Sequence, residues 1–178
     1  SENIENKLET VSKEINEIEN QLTSVTTPIN ELNRFLGGNV TTGRLGEWNL
    51  ESIVKDVMPD GNYEFQKNIN PETQDRVDCA IETADGLIIP IDSKFYAGQY
   101  KQYQDASQAN IRSNVLRDLR TAILRDAEDI ANKYLRQNST SNYAVLYIAS
   151  EKLIDLVDEI DNLRQDCLSE KKVLIQGP

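Results

Sequence analysis

A chain of 178 residues has room for one ordinary domain and an extension. Hydrophobic residues make up 38% and charged residues 28%, a balance that predicts a normal core diluted by a long solvated helix. Histidine is absent, which excludes His general bases, nucleophile triads built on His and zinc sites with His ligands.

Cys79 and Cys167 lie far apart. Their spacing matches neither a zinc site nor a dense disulfide framework, so two free thiols and a cytoplasmic setting are expected. No apolar run approaches the ~20 residues that a membrane helix needs, and the start carries no signal-peptide pattern. The net charge of −11 argues against broad nonspecific nucleic-acid binding, which needs Lys and Arg to neutralise phosphates. The charge is uneven, however. Residues 35–93 hold eleven acidic and four basic side chains, whereas residues 94–137 hold five acidic and eight basic ones.

From the N-terminus, Ile4, Leu8, Val11, Ile15, Ile18, Leu22 and Val25 recur in steps of four and three. Polar residues fill the gaps. This heptad seam predicts a coiled coil, and with it a homo-oligomer, against the plainer reading of one amphipathic helix packed on its own domain. Thr26-Thr27-Pro28 interrupts the repeat, which resumes with Ile29, Leu32 and Leu36. Gly37-Gly38-Asn39 marks the boundary. The expected division is a coiled-coil helix over 1–36 and an α/β core over 37–178.

A helix is predicted over 43–57, with Leu45, Trp48, Leu50, Ile53 and Val54 as its apolar positions. Pro59-Asp60-Gly61 ends it. Tyr63 to Gln66 reads as a short strand, followed by a polar loop from Asn68 to Asp75. Val77, Cys79 and Ile81 then alternate with Asp78, Ala80 and Glu82, the strongest strand signal in the chain. Ala84-Asp85-Gly86 predicts a hairpin turn. Leu87 to Ile91 is a nearly continuous apolar run, as in a strand buried on both faces. Pro90 within it cannot donate to a ladder and is expected at a bulge or an edge. One long helix is predicted from about 105 to 137 on Ile111, Val115, Leu119, Ile123, Ile130 and Tyr134. A core strand follows over Tyr143–Ala149, then one helix over 151–167, then a last strand from Lys172. The order predicts a mixed sheet flanked by helices.

The hairpin carries the chemistry. Asp78 and Asp92 sit six or seven residues from its tip on opposite arms, so they are expected side by side across the ladder. A period of two puts Asp92 and Lys94 on one face. Two carboxylates suit a hard divalent cation such as Mg²⁺ or Mn²⁺, and the Ser93 carbonyl is a further candidate ligand. Such a cation polarises a phosphoryl oxygen and lowers the pKa of a bound water. A neighbouring ammonium orients that water or stabilises developing charge. An isolated Asp-x-Lys is more often a strand end with a surface ion pair. The second aspartate, the turn and the apolar run set this one apart. Glu47, on the preceding helix, is the candidate fourth member, against the plainer reading of a solvated helix residue. Gln66 is a candidate second layer of support, against a surface glutamine. Tyr96, Lys101, Arg112 and Arg120 are candidate nucleic-acid contacts, against packed tyrosines and a solvated helix face.

Gly43-Arg-Leu-Gly46-Glu47-Trp48-Asn-Leu50-Glu51, Tyr63-Glu-Phe-Gln66, Arg76-Val-Asp78 and Ile91-Asp92-Ser93-Lys94 together resemble the RmuC family of bacterial DNA recombination proteins. Lys133-Tyr134-Leu135 and Tyr143–Glu151 continue the likeness, which covers roughly residues 40–178. Leu45 stands where the family commonly has Trp, and Val77 where it has Pro. The resemblance implies a restriction-endonuclease-like fold of the PD-(D/E)xK kind, an N-terminal coiled coil, and a DNA-cleaving or DNA-processing role. It makes Asp78 and Asp92 metal ligands, Lys94 the catalytic lysine and Glu47 the helix carboxylate. It also implies a domain that continues past Gly177-Pro178. The alternative is a catalytically inert scaffold that binds DNA or protein partners through coiled-coil assembly.

Overall fold

The computed structural model describes residues 3–15 and 43–177, and of residues 43–49 the backbone only. The elements are α1 (3–15), α2 (Gly43–Val57), β1 (Tyr63–Lys67), β2 (Val77–Glu82), β3 (Ile88–Lys94), α3 (Ala97–Asp105), α4 (Ala109–Tyr134), β4 (Ala144–Ile148), α5 (Glu151–Glu159), α6 (Leu163–Lys171) and β5 (Val173–Gln176). The strands form one five-stranded mixed sheet whose spatial order is the chain order. β1, β2 and β3 pair antiparallel, and β3, β4 and β5 pair parallel. The helices flank this sheet, so the fold is mixed α/β.

The alternation read along β2 and β3 sorts their side chains between two cores. On one face Cys79, Ile81, Ile89 and Ile91 pack with Leu50, Ile53 and Val54 of α2. On the other face Ala80 and Ile88 meet the cluster formed by Leu119, Ile123 and Ile130 of α4, Leu153 of α5 and Cys167 of α6. β4 lies between two partner strands with both faces covered, and all five of its residues are buried. The β2–β3 turn forms where Ala84-Asp85-Gly86 predicted it. Gly86 takes φ +80, open to glycine without the Cβ clash, and its N–H donates to the Thr83 carbonyl at 2.9 Å.

Pro90 corrects one expectation: it lies within the central strand β3, opposite Ala80, rather than at an edge or a bulge. The Thr83 N–H donates to Leu87 O at 2.8 Å, and antiparallel bonding alternates from there. The Pro90 nitrogen therefore faces away from β2, toward β4. On that side the parallel ladder begins only at Ile91, opposite Val145, so no ladder bond is lost.

Two helices replace the single helix expected over 105–137. Ala106 and Gln108 take extended backbone angles and separate α3 from α4. α3 was invisible to periodicity because none of its residues is buried. The helix expected over 151–167 is likewise divided. Ile160 is extended, and Asn162 adopts a left-handed conformation at φ 59 ahead of α6; asparagine tolerates that region better than most residues.

In α1, Ile4 and Leu8 are exposed, and Glu14 reaches Lys172 at 3.1 Å. The remaining seam positions from Ile18 to Leu36, and the boundary near residue 37, lie outside the described residues. Among the described residues, no helix is long and apolar enough to cross a membrane.

Candidate functional site

The site is built at the open end of the β2–β3 hairpin. Register pairs Cys79 with Ile91, and one step further it sets Asp78 opposite Asp92. Cross-strand neighbours share a face. Asp92 and Lys94 follow Ile88 at even spacing, so the three carry their side chains to the α4 side of the sheet. Asp92 is only 7% exposed. A carboxylate this far from water requires a partner, and Lys94 supplies it, with Nζ 2.9 Å from Asp92 Oδ2. Burial alone would lower the Lys94 pKa. The carboxylates of Asp92, Asp126 and Asp78 outweigh it and hold the ammonium above its usual range.

Asp78 is fixed from both sides. Its Oδ2 accepts from the Ser93 backbone N–H at 2.7 Å, and its Oδ1 accepts from Gln66 Nε2 at 3.3 Å. Gln66 stands at φ 50, a left-handed position within β1. In an extended strand a residue's N–H and C=O leave on the same edge. The Ser93 carbonyl therefore lies on the β2 edge, beside the Asp78 carboxylate.

Two tyrosines close the α4 side. The Tyr96 hydroxyl donates to Asp126 Oδ2 at 2.7 Å, and the Tyr134 hydroxyl donates to the Arg76 carbonyl at 3.0 Å. Both phenols are held well above the usual range. For Tyr96 the cause is burial, then Asp126; for Tyr134 it is burial, then Asp92, Asp75 and Asp78. Both remain donors at neutral pH. Asp126 is not among the residues singled out from the sequence. A signal was present, because Asp126 falls among Leu119, Ala122, Ile123, Ala127 and Ile130, the buried stripe of α4.

The other predicted residues are placed less centrally. α2 brings the Glu47 backbone to the opposite side of the sheet from Asp92 and Lys94, since α2 packs through Leu50, Ile53 and Val54 on the Cys79 face. The side chain of Glu47 lies outside the described residues. Tyr96 is buried and bonded, with no ring face turned to solvent for stacking. Arg120 ties α4 to α6 through Asp166 at 2.6 Å. Arg112 joins α3 to α4: its Nε donates to Ala106 O at 2.8 Å and its guanidinium lies over the Tyr103 ring. Lys101 is exposed on α3. Both cysteines are free and buried.

Among the described residues, no three side chains of the His, Cys, Asp and Glu types stand together as a ready metal cage. Asp78 and Asp92 lie opposite each other across the β2–β3 register, with the Lys94 ammonium against Asp92 and the Ser93 backbone against Asp78. That set can hold a positive ion by hard oxygen donors and can place one positive charge against an anion. The model of the RmuC family matches residues 1–178 of this chain. No curated protein and no solved structure matches it.

Proposed function

The chain belongs to the RmuC family, and on that premise we propose that it is a metal-dependent DNA endonuclease or DNA-processing enzyme that hydrolyses a phosphodiester at the hairpin end. Family membership suggests a role in DNA recombination. The observation that carries the nuclease reading is the joint placement of Asp78, Asp92 and Lys94 at one end of β2 and β3, with Asp78 braced by Gln66 and Ser93. An antiparallel β1–β2–β3 unit extended by parallel β4, with helices on both faces, supports a restriction-endonuclease-like reading of the fold.

The donor set fits Mg²⁺ or Mn²⁺. Mg²⁺ takes one or two carboxylates from the protein and completes its shell with water and phosphate oxygens, so the lack of a full protein cage among the described residues is compatible with it. Such an ion, when bound, supplies a Lewis acid and a water of lowered pKa. Asp78 and Asp92 would hold it, with the Ser93 carbonyl as a further candidate; α2 carries the Glu47 backbone on the other side of the sheet. Gln66 and the Ser93 N–H keep the Asp78 carboxylate oriented. Lys94 remains protonated and puts its charge where negative charge develops on the attacked phosphate. The exposed apolar positions Ile4 and Leu8 of α1 support self-association by a coiled coil.

A second reading is an inert scaffold. The closed Asp92–Lys94 pair and the absence of a third acidic ligand among the described residues favour it. Cleavage assays separate the two. Labelled duplex DNA, single-stranded DNA and RNA are incubated with the chain in Mg²⁺ and in Mn²⁺, beside Asp92→Asn and Lys94→Met. Each variant is expected to lose roughly 10²–10³-fold in rate, the scale of removing one group that stabilises transition-state charge. Wild-type protein that cleaves none of these substrates, or variants that cleave as fast as wild type, would remove the nuclease reading.

A further inference from the structure

The ion pair at Asp92 raises a problem that the rest of the site answers. If Asp92 turns to a cation, as the proposed function requires, Lys94 loses its closest carboxylate while its side chain remains only 38% exposed. A half-buried ammonium without a partner is costly. Tyr96 follows Lys94 by two residues and is buried beneath α4, where its hydroxyl is bonded to Asp126 at 2.7 Å. That bond draws the Asp126 carboxylate to the end of β3, on the face where Lys94 lies. The phenol takes Oδ2 of Asp126. The same carboxylate already acts on Lys94 electrostatically.

We infer that Asp126, gripped by Tyr96, is a positioning residue for Lys94 and takes over its ammonium when Asp92 is engaged elsewhere. Asp126 then does not join the metal shell. It keeps the positive charge of Lys94 at the site through the change, so that charge is available to an anionic phosphate. Tyr96 serves as the clamp, since its hydroxyl has to donate for Asp126 to keep its orientation.

The inference rests on the nuclease reading only for its purpose, and its geometry can be tested without any cation. The full chain is labelled with ¹⁵N and ¹³C at lysine, and the Lys94 ammonium resonance is identified by its loss in Lys94→Met. Asp92→Asn imitates a carboxylate that no longer pairs with Lys94. The resonance is expected to persist in Asp92→Asn, held by Asp126. It is expected to vanish into exchange broadening in Asp92→Asn/Asp126→Asn, and to broaden in Asp92→Asn/Tyr96→Phe. The side-chain amide introduced by Asp126→Asn still accepts from the phenol, so that change preserves the local bond, and backbone amide spectra report folding of every variant. Loss of the resonance in Asp92→Asn alone, or its persistence in the Asp92→Asn/Asp126→Asn variant, would overturn the inference. Mg²⁺ added to the wild type tests the parent reading separately: an unmoved Lys94 resonance and an unmoved Asp92 amide count against cation binding and leave the Asp126 result as it stands.

Discussion

The two buried thiols predict a specific alkaline weakness. Cys79 and Cys167 are both 0% exposed, and each is pushed from its ordinary value of 9.0 up to about 12, first by burial. Neighbouring acids reinforce the shift: Asp78 and Glu51 at Cys79, Glu170 at Cys167, where Lys171 opposes it. An acid that holds its proton more tightly in the fold stabilises the fold fully below its unfolded pKa. That contribution is lost as pH rises from 9 toward 12, because the unfolded thiols ionise first. Between pH 8 and pH 10 the loss is about 1 kcal/mol for each thiol, from the 1.36 kcal/mol that one pKa unit represents, and roughly 2–3 kcal/mol for the pair. The assay is urea unfolding at both pH values, with wild type beside Cys79→Ala/Cys167→Ala. The cavity cost of alanine is the same at both pH values and cancels in the comparison. Wild type is expected to lose roughly 2–3 kcal/mol more than the variant on going from pH 8 to pH 10. Equal losses would show that the buried thiols do not set the alkaline weakness, since the tyrosines and Lys94 are common to both proteins.

Other expectations concern the elements that hold the hairpin in place. Ser150 is fully buried and caps α5, its Oγ accepting from the Leu153 N–H at 3.3 Å; Ser150→Ala is expected to cost about 1 kcal/mol in urea unfolding, and an unchanged midpoint would show that the cap contributes nothing. A Cβ on Gly177 would collide with the Ile154 side chain and stand 2.9 Å from the Ile148 carbonyl. Gly177→Ala is therefore expected to lose about 1–3 kcal/mol, with thermal unfolding as the readout and an unshifted transition as the contrary result.

The hairpin was legible because three local rules agreed. Alternation from Val77 to Glu82, the Ala84-Asp85-Gly86 turn and the apolar run of β3 all specify one register, and that register carries Asp78 to Asp92. The divided helices were not legible. Ile160 and Leu163 keep a helical step of three across a break that Asn162 makes by taking φ 59, so hydrophobic spacing alone continues through it. Pro90 was misplaced because proline was judged by strand position, whereas which edge its nitrogen faces decides the outcome. Asp126 and Tyr96 were not linked because their contact spans 30 residues and depends on how α4 lies over the sheet. The parts of the site within the hairpin could be read locally. The parts delivered by a crossing helix could not.

The proposed role of the hairpin end is to hold a divalent cation. Calorimetric titration of Mg²⁺ and Mn²⁺ into the full chain, and into Asp78→Asn/Asp92→Asn, tests it most directly. A saturable heat is expected in the wild type and is expected to disappear in the folded double variant. No saturable heat in folded wild-type protein, or the same heat in both proteins, would contradict it.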